Sequence, residues 1–129
     1  MSGGLVGVVE RYLGCLHDGR HGEIVGLFTE AGIVVSPFLG RVPAREFFPK
    51  LAASSTRSVI TPHDILVSAR NERRACGYFR YDWTLKDGVT VSFECADLFE
   101  FDPIIDRIAV MTILYDTHPI RQLVGDKYS

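Results

Sequence analysis

The sequence has few cysteines, no long run of one charge and no long hydrophobic segment, and each absence excludes a class of protein. The three cysteines (Cys15, Cys76 and Cys95) are an odd number without a Cys-x-x-Cys spacing, which argues against a disulfide framework and a zinc site. No run of Lys or Arg exceeds two residues and the formal net charge is -2, so we expect no nucleic-acid partner. No stretch approaches the roughly 20 apolar residues of a membrane span.

The composition is that of an ordinary globular chain. The sequence begins Met-Ser-Gly-Gly, without the basic region and apolar run of a signal peptide, so we expect a cytoplasmic protein with reduced thiols. Its 129 residues fit a single domain, residues 1–129, that can bury a core without disulfides or metal. No histidine and carboxylate spacing is typical of a metal site, and we expect no cofactor.

Helical periodicity dominates the amino-terminal half. The apolar residues of the first segment recur at helical spacing: Leu5, Val8, Val9, Tyr12 and Leu16. They predict a helix over residues 4–18 that ends at Gly19 and carries Tyr12 on its apolar face. Further predictions are a short helix around residues 24–28, a strand at 33–36 and a third helix from Pro43 to Ser54, kinked at Pro49.

The carboxy-terminal half alternates in the manner of strands. We predict strands at residues 59–68, 78–85, 89–101 and 107–115, the first of them broken at Pro62. Lys86-Asp87-Gly88 has the form of a three-residue hairpin loop, because Gly88 can adopt the left-handed conformation that such a loop needs. The loop pairs the following residues: Trp83 with Val91, Tyr81 with Phe93, Phe79 with Cys95, and Arg80 with Glu94. Helices followed by a strongly bent antiparallel sheet predict an α+β fold.

Asp97 lies on the apolar face of its own strand. Strand side chains alternate between the two faces, so Asp97 points inward together with Phe93, Cys95 and Phe99. A buried carboxyl is costly unless it is paired, hydrogen-bonded or protonated, and burial raises its pKa. Gly77 falls opposite Asp97 in the predicted register, so we expect a space beside the carboxyl. Perturbed carboxyls of this kind concentrate at functional sites.

The last strand is apolar on both faces. One face carries Ile108, Val110, Thr112 and Leu114, and the other carries Ala109, Met111, Ile113 and Tyr115. A strand that is apolar on both sides of a small sheet indicates a second layer. We therefore expect a homodimer formed through the outer face of the sheet.

Several stretches together resemble Δ5-3-ketosteroid isomerase. They are Val8 to Tyr12, Ile24 to Phe28, Val35-Ser36-Pro37 with Gly40, and Asp97 to Phe101 before an apolar last strand. The chain is also similar to the wider nuclear transport factor 2-like (cystatin-like) superfamily, and Tyr115 to Pro119 resembles its SnoaL-like polyketide cyclase branch. The resemblance implies a cone-shaped sheet with three amino-terminal helices. It covers nearly the whole chain and specifies the fold more closely than the reaction.

The resemblance also implies roles for three residues. Tyr12 and Asp97 match the two groups that form the oxyanion hole of the isomerase, in which the carboxylic acid stays neutral. The position of the general base of the isomerase holds Ser36, whose hydroxyl cannot accept a proton at neutral pH without a base of its own. Candidate replacement bases near strand ends are His63, Asp64, Asp116 and His118.

We therefore expect a pocket for a hydrophobic, carbonyl-bearing small molecule of steroid-like or polyketide-like character. Tyr12 and Asp97 are the predicted catalytic residues, and the predicted ligand-binding residues are Ser36, Phe79, Tyr81, Trp83, Phe93, Cys95 and Phe99. An enzyme of this design would act as an isomerase or cyclase by stabilising an enolate.

Two alternatives remain open at this stage. Because the usual base is missing, the chain also fits a non-catalytic binding or dimerisation module. Arg80 and Asp82 are similar to part of the limonene epoxide hydrolase triad, but the position of its second aspartate falls near Ile113. An ion pair in solvent or at an interface explains Arg80 and Asp82 more simply.

Overall fold

Three helices and six strands make up the part of the chain that the computed structural model describes, residues 4–120. The helices are α1 (Gly4–Asp18), α2 (His21–Val25) and α3 (Ala44–Ser54), with a 3-10 turn at His118–Ile120. The strands are β1 (Phe28–Ser36), β2 (Gly40–Pro43), β3 (Ser55–Val67), β4 (Arg74–Leu85), β5 (Thr90–Phe101) and β6 (Ile108–Tyr115). The fold is therefore α+β, as the sequence predicts.

All six strands belong to one sheet in the order β2-β1-β6-β5-β4-β3. Four neighbouring pairs are antiparallel, but β1 and β6 run parallel, so the expectation of a wholly antiparallel sheet is corrected at this pair. Strand β1 lies between its hairpin partner β2 and the last strand β6, and the long connection from β1 to β6 allows these two strands to run parallel.

Helix α1 lies across the inner face of the sheet, against β3 and β4. Its predicted bounds are confirmed, and Gly19 directly after it has a φ of +72°, the left-handed conformation that ends helices. Val8, Val9, Tyr12 and Leu16 are each at most 2% exposed and Leu5 is partly buried, so most of the apolar face that the spacing indicates is covered.

The β4–β5 hairpin has the predicted register. Gly88 has a φ of +88°, and the Leu85 amide donates to the Val89 carbonyl across the loop at 2.9 Å. The predicted pairs are all present: Trp83 with Val91, Tyr81 with Phe93, Phe79 with Cys95, Arg80 with Glu94, and Gly77 with Asp97. This register brings aromatic side chains and Asp97 together on the inner face.

Some elements differ from the sequence predictions. Phe28, predicted in the second helix, is the first residue of β1. The sequence did not distinguish the two, because a short apolar pair such as Leu27-Phe28 fits the start of a strand as well as a helical turn. Strand β2 has only 4 residues and no alternation strong enough to predict it. Strand β3 is longer than predicted and continues past Pro62 through a register shift between Pro62 and Asp64.

A bulge in β6 changes which of its residues face inward, so the predicted division of this strand into two faces is wrong. Phe101 pairs with Ile108 and Glu100 pairs with Val110, so one extra residue, Ala109, interrupts the ladder. Ile108 therefore turns inward and is 0% exposed, whereas Leu114 lies on the outer face and is 51% exposed. Among residues 4–120, no helix has the length and apolar character that a membrane span requires.

Candidate active site

A cavity of about 260 Å³ opens between α1, α3, the end of β1 and the inner face of β4, β5 and β6. Its lining is mostly apolar and aromatic. Eight of the nine residues predicted for the site lie on its wall: Tyr12, Ser36, Phe79, Tyr81, Trp83, Phe93, Cys95 and Asp97. The walls thus come from elements far apart in the chain, and the β4–β5 hairpin supplies six of these eight residues.

Asp97 is the buried acid of this cavity. It is 3% exposed, and its Oδ2 accepts a hydrogen bond from the Tyr12 hydroxyl at 3.4 Å. Its Oδ1 is buried and has no hydrogen-bond partner among residues 4–120. Burial raises the pKa of Asp97 to about 8, although the hydrogen bond from Tyr12 acts in the opposite direction. The carboxyl is therefore mostly neutral at pH 7, and one of its two oxygens has no protein partner among residues 4–120.

Tyr12 is held by two aromatic contacts. Its ring meets Phe99 at 5.2 Å and Phe48 at 6.2 Å between centroids, both edge to face. Burial, followed by the nearby Asp97, raises the pKa of the Tyr12 hydroxyl well above its ordinary value. Tyr12 therefore stays protonated, and a hydrogen bond as long as 3.4 Å leaves its hydroxyl able to turn toward a ligand oxygen.

Gly77 does not leave the space that its position opposite Asp97 predicts. A Cβ on Gly77 would lie 3.2 Å from Val9 Cγ1 and 3.6 Å from Phe99 Cε2. Helix α1 has filled the gap, because the missing side chain allows it to approach the sheet closely. The open volume beside Asp97 lies instead toward α3 and the end of β1.

Ser36 ends β1 at the cavity wall. It is 9% exposed, and its Oγ accepts hydrogen bonds from the Phe38 and Leu39 amides, each at 3.3 Å. These contacts occupy the lone pairs of Oγ, while its proton has no acceptor among the described residues. The Ser36 hydroxyl therefore keeps a donor that no described residue uses, at a position on the cavity wall.

The aromatic wall is fixed by hydrogen bonds behind it. The Tyr81 hydroxyl is 3.0 Å from the Ser58 hydroxyl, and Trp83 Nε1 donates to Ser55 Oγ at 2.8 Å. Burial raises the pKa of Tyr81 to about 12 and that of the Cys95 thiol far above its ordinary range. These groups therefore present neutral, mainly apolar surfaces to the cavity.

Phe99 is the predicted pocket residue that the structure places outside the cavity lining. It is 0% exposed and packs edge to face against the Tyr12 ring. Strand alternation correctly turned Phe99 inward, but it does not distinguish the cavity wall from the core behind it.

Sequence reasoning missed the part of the wall that α3 and the β1–β2 turn provide. These lining residues are Pro37, Phe38, Leu39, Phe47, Lys50, Leu51 and Ser54, joined by Leu16, Ile113 and Tyr115. The one available signal was Phe38-Leu39, an apolar pair in a turn, where polar residues are usual. Phe38 and Leu39 are 54% and 51% exposed and form the rim.

None of the four candidate replacement bases lines the cavity. His63 is on the opposite side of the sheet, where its Nε2 lies 2.9 Å from Glu94 Oε2 and its ring packs at a tilt against Tyr78. Asp64 and Asp116 accept hydrogen bonds from the backbone amides of Ile65 and His118. Among residues 4–120, no cluster of three metal-ligating side chains is present either.

Arg80 and Asp82 lie on the outer face of β4. Arg80 Nε contacts Asp82 Oδ1 at 3.2 Å, and Asp82 also accepts a hydrogen bond from Ser92. The simpler interpretation of Arg80 and Asp82 as an ion pair is thus confirmed, while Glu94, opposite Arg80 in the register, contacts His63. Neither Arg80 nor Asp82 lines the cavity, so this cavity cannot be the substrate pocket of an epoxide hydrolase that uses these two residues.

Solved structures match this architecture over most of the chain. A hypothetical protein from Catenulispora acidiphila with a ketosteroid isomerase-like fold, in complex with trimethylamine, has a TM-score of 0.74 and 14% identity, covering 92% of each chain. SalBIII, an epoxide hydrolase/cyclase-like enzyme with a role in pyran ring formation in the polyether salinomycin, has a TM-score of 0.70 and 18% identity, covering 87% of this chain and 90% of its own.

A nuclear transport factor 2-like protein of unknown function from Cytophaga hutchinsonii has a TM-score of 0.68 and 12% identity, covering 88% of this chain and 90% of its own. The chain therefore has the nuclear transport factor 2-like fold, as its sequence resemblance implies. No protein-family model and no curated protein matches the sequence. Because these identities are low, the comparisons define the fold and leave the reaction to the chemistry of the cavity.

Proposed function

We propose that this protein binds a compact, hydrophobic, carbonyl-bearing small molecule in the cavity, with Asp97 and Tyr12 donating hydrogen bonds to its oxygen. The free Oδ1 of a buried, largely neutral carboxyl at an apolar wall carries this proposal. A buried polar atom without a partner costs about 1–3 kcal/mol, and a ligand oxygen at this point would remove that cost.

The lining supports a flat ligand. Phe79, Tyr81, Trp83 and Phe93 offer aromatic surface, and the polar groups that face the cavity are few. The volume of about 260 Å³ lies just below the range of about 300–1,000 Å³ typical of drug-sized ligands. The cavity therefore suits one or two fused rings, and the larger steroid-like or polyketide-like ligands would extend through the mouth.

The reaction that this arrangement supports is stabilisation of an enolate, as in an isomerase or cyclase. Hydrogen-bond donors placed where negative charge develops in a dry site lower the barrier to enolate formation. The alternative is a binding module without turnover, which the serine at the end of β1 favours because its Oγ is occupied by two amides.

Binding of 2-naphthol tests the proposal, because this flat phenol resembles the enol of a two-ring ketone. We expect saturable binding by fluorescence titration near pH 7, and about 5- to 10-fold weaker binding after Asp97→Leu or Tyr12→Phe, the loss expected for one buried hydrogen bond. Naphthalene, which lacks the oxygen, should bind equally to all three proteins.

Asp82→Asn and Tyr78→Phe are matched controls on the outer face of the sheet, and they should leave the affinity unchanged. Unchanged affinity for 2-naphthol in both cavity variants would contradict the proposal. The epoxide hydrolase alternative has its own test, since it fails if Asp82→Asn has no effect on any epoxide hydrolysis detected.

A further inference from the structure

The cavity wall carries one cationic side chain among the described lining residues, that of Lys50. The other lining residue of an ordinarily charged type is Asp97, and burial raises the pKa of its carboxyl to about 8, so it is mostly neutral at pH 7. Lysine carries its charge as a compact ammonium with three hydrogen-bond donors. The cavity is therefore locally positive, although the whole chain has a formal net charge of -2.

Helix α3 places Lys50 at the mouth of the cavity. The lining residues of this helix are Phe47, Lys50, Leu51 and Ser54, whose spacing of three, four and seven positions puts them on one face. Phe47 is buried, Leu51 is half-buried, and Lys50 and Ser54 are exposed. This face of α3 thus passes from the core to the solvent, and Lys50 lies at its outer end.

The ammonium of Lys50 has no partner in the described part of the chain. Glu46 precedes Lys50 by four positions in α3, the order and spacing at which these two residue types usually pair on a helix. No carboxylate of residues 4–120 lies within 4.0 Å of the ammonium, however. Ser54 Oγ donates to the main-chain carbonyl of Lys50 at 3.0 Å, a contact that leaves the side chain unused.

The polar groups of the cavity therefore lie at its two ends. Tyr12 and Asp97 are 2% and 3% exposed and form the inner end, whereas Lys50 is exposed at the mouth. Aromatic side chains, among them Phe79 and Phe93, line the wall. A ligand that matches this distribution has an oxygen at one end, an apolar ring body, and an anionic group at the other end.

We propose that the ligand of this cavity is an amphipathic carboxylic acid whose carboxylate pairs with Lys50 at the mouth, while its carbonyl or phenol oxygen meets Asp97 and Tyr12. Lys50 is then the residue that selects acids over neutral compounds of the same shape. This inference rests on the proposed binding of a carbonyl compound. It adds the chemical class of that compound, a hydrophobic oxo acid or hydroxy acid.

The position of Lys50 favours selectivity without a large desolvation cost. A carboxylate at the mouth keeps part of its hydration, so the penalty of a fully buried ion pair does not arise. The mostly neutral carboxyl of Asp97 does not repel a second acid, which an ionised carboxylate in the same cavity would do. Since the pair remains near solvent, we expect a modest preference that salt reduces.

Titration with 6-hydroxy-2-naphthoate and with its methyl ester tests the inference, with ligand fluorescence as the signal at pH 7. Both compounds carry the phenol for the inner end, and the acid alone carries a charge at the opposite end of the rings. At low ionic strength the wild type should bind the acid about 3- to 5-fold more tightly than the ester. The ratio should approach one at about 1 M salt, where the Debye length falls to about 3 Å.

Variants of Lys50 locate the preference at the mouth. Lys50→Met removes the charge and keeps a long apolar side chain, so the ratio of the two affinities should fall to about one, whereas Lys50→Arg should keep the preference. Lys86→Met is the matched control, because it changes the net charge equally but lies in the β4–β5 loop, outside the cavity lining. The ratio for this control should equal that of the wild type.

Asp97→Leu tests the orientation of the ligand. This variant acts at the phenol end, so it should weaken the binding of acid and ester by the same factor. A selective loss of acid binding in Asp97→Leu would place the carboxylate at the inner end and overturn the inference.

The remaining outcomes separate the inference from the proposed function. If the wild type binds 2-naphthol but binds the acid no more tightly than the ester, or if Lys50→Met keeps the preference, the inference is overturned and the proposed function stands. An equal loss of preference in Lys86→Met also overturns it, because the attraction would then be a property of the whole surface. Failure of the wild type to bind 2-naphthol contradicts the proposed function itself.

Discussion

At the scale of single residues, Asp97 links the cavity to the stability of the protein. An unfolded aspartate titrates near pH 3.9, whereas burial raises the pKa of folded Asp97 to about 8. Between these values the folded state binds more protons than the unfolded state, so the stability falls as pH rises. The effect is absent below about pH 4 and complete above about pH 8.

We therefore expect Asp97→Asn to remove a pH-dependent loss of stability on the order of a few kcal/mol. The free energy of unfolding of the wild type, measured by urea denaturation, should decline between about pH 4 and about pH 8 more steeply than that of the variant. Glu72→Gln, at an exposed carboxyl, should keep the wild-type slope. Parallel curves for wild type and Asp97→Asn would show that the folded pKa is close to the ordinary one.

Alternation along one strand was sufficient to predict that Asp97 faces inward, and helical spacing placed Tyr12 on the covered face of α1. Their contact, which joins residues 85 positions apart, depends on how α1 lies across the sheet. The position of α1 also explains why the space predicted beside Asp97 is absent. The gap that Gly77 leaves in the strand pair is filled by Val9 of the helix.

At the scale of secondary-structure elements, the approach of α1 to β4 depends on Gly77. A methyl group there would lie 3.2 Å from Val9 Cγ1, and both neighbours belong to packed elements. We expect Gly77→Ala to lower the free energy of unfolding by about 1–3 kcal/mol, the usual cost of overpacking, in a denaturation experiment at fixed pH.

Gly14→Ala is the matched control for this substitution. Gly14 lies within α1, and a Cβ there meets nothing within 4 Å. Alanine should therefore raise the stability by up to about 1 kcal/mol through its higher helix propensity. If Gly77→Ala were as stable as Gly14→Ala, the close approach of α1 to the sheet would be wrong.

Sequence patterns located the elements with a strong local signal. Helix α1 and the β4–β5 hairpin follow from periodicity, Gly19 and Gly88, all of which act within a few residues. The β6 bulge at Ala109 has no such signal, because both faces of β6 are apolar and either register satisfies the alternation. Pairing with β5 decided which face is buried.

At the scale of the whole molecule, the outer face of the sheet carries an apolar area. Neighbouring strands place Tyr78, Ala96 and Leu114 in one row, and Leu66, Cys76 and Leu98 in the next. Leu66, Tyr78 and Leu114 are 52%, 42% and 51% exposed. Contiguous exposed apolar surface of this kind is typical of interaction sites, and it is the surface through which we predict homodimerisation.

We expect a dimer mass for the wild type by light scattering at micromolar concentration, and a monomer mass for Leu114→Glu, because the charge would be buried without a partner. Ile104→Glu is the control, since Ile104 is 87% exposed in the connection between β5 and β6, away from the sheet face. A monomeric wild type would contradict the prediction and leave the apolar area to another partner.

The sequence by itself determined the α+β class, the first helix, the hairpin register and the inward direction of Asp97, because these depend on local periodicity and on glycine conformations. Only the tertiary structure decided which inward residues line open space. It separated Phe99 in the core from Phe93 at the cavity, and brought α3 and Ser36 to the wall. A cavity is the volume that packed elements leave unfilled, so it depends on distances between segments far apart in the chain, about which a single sequence carries no local signal.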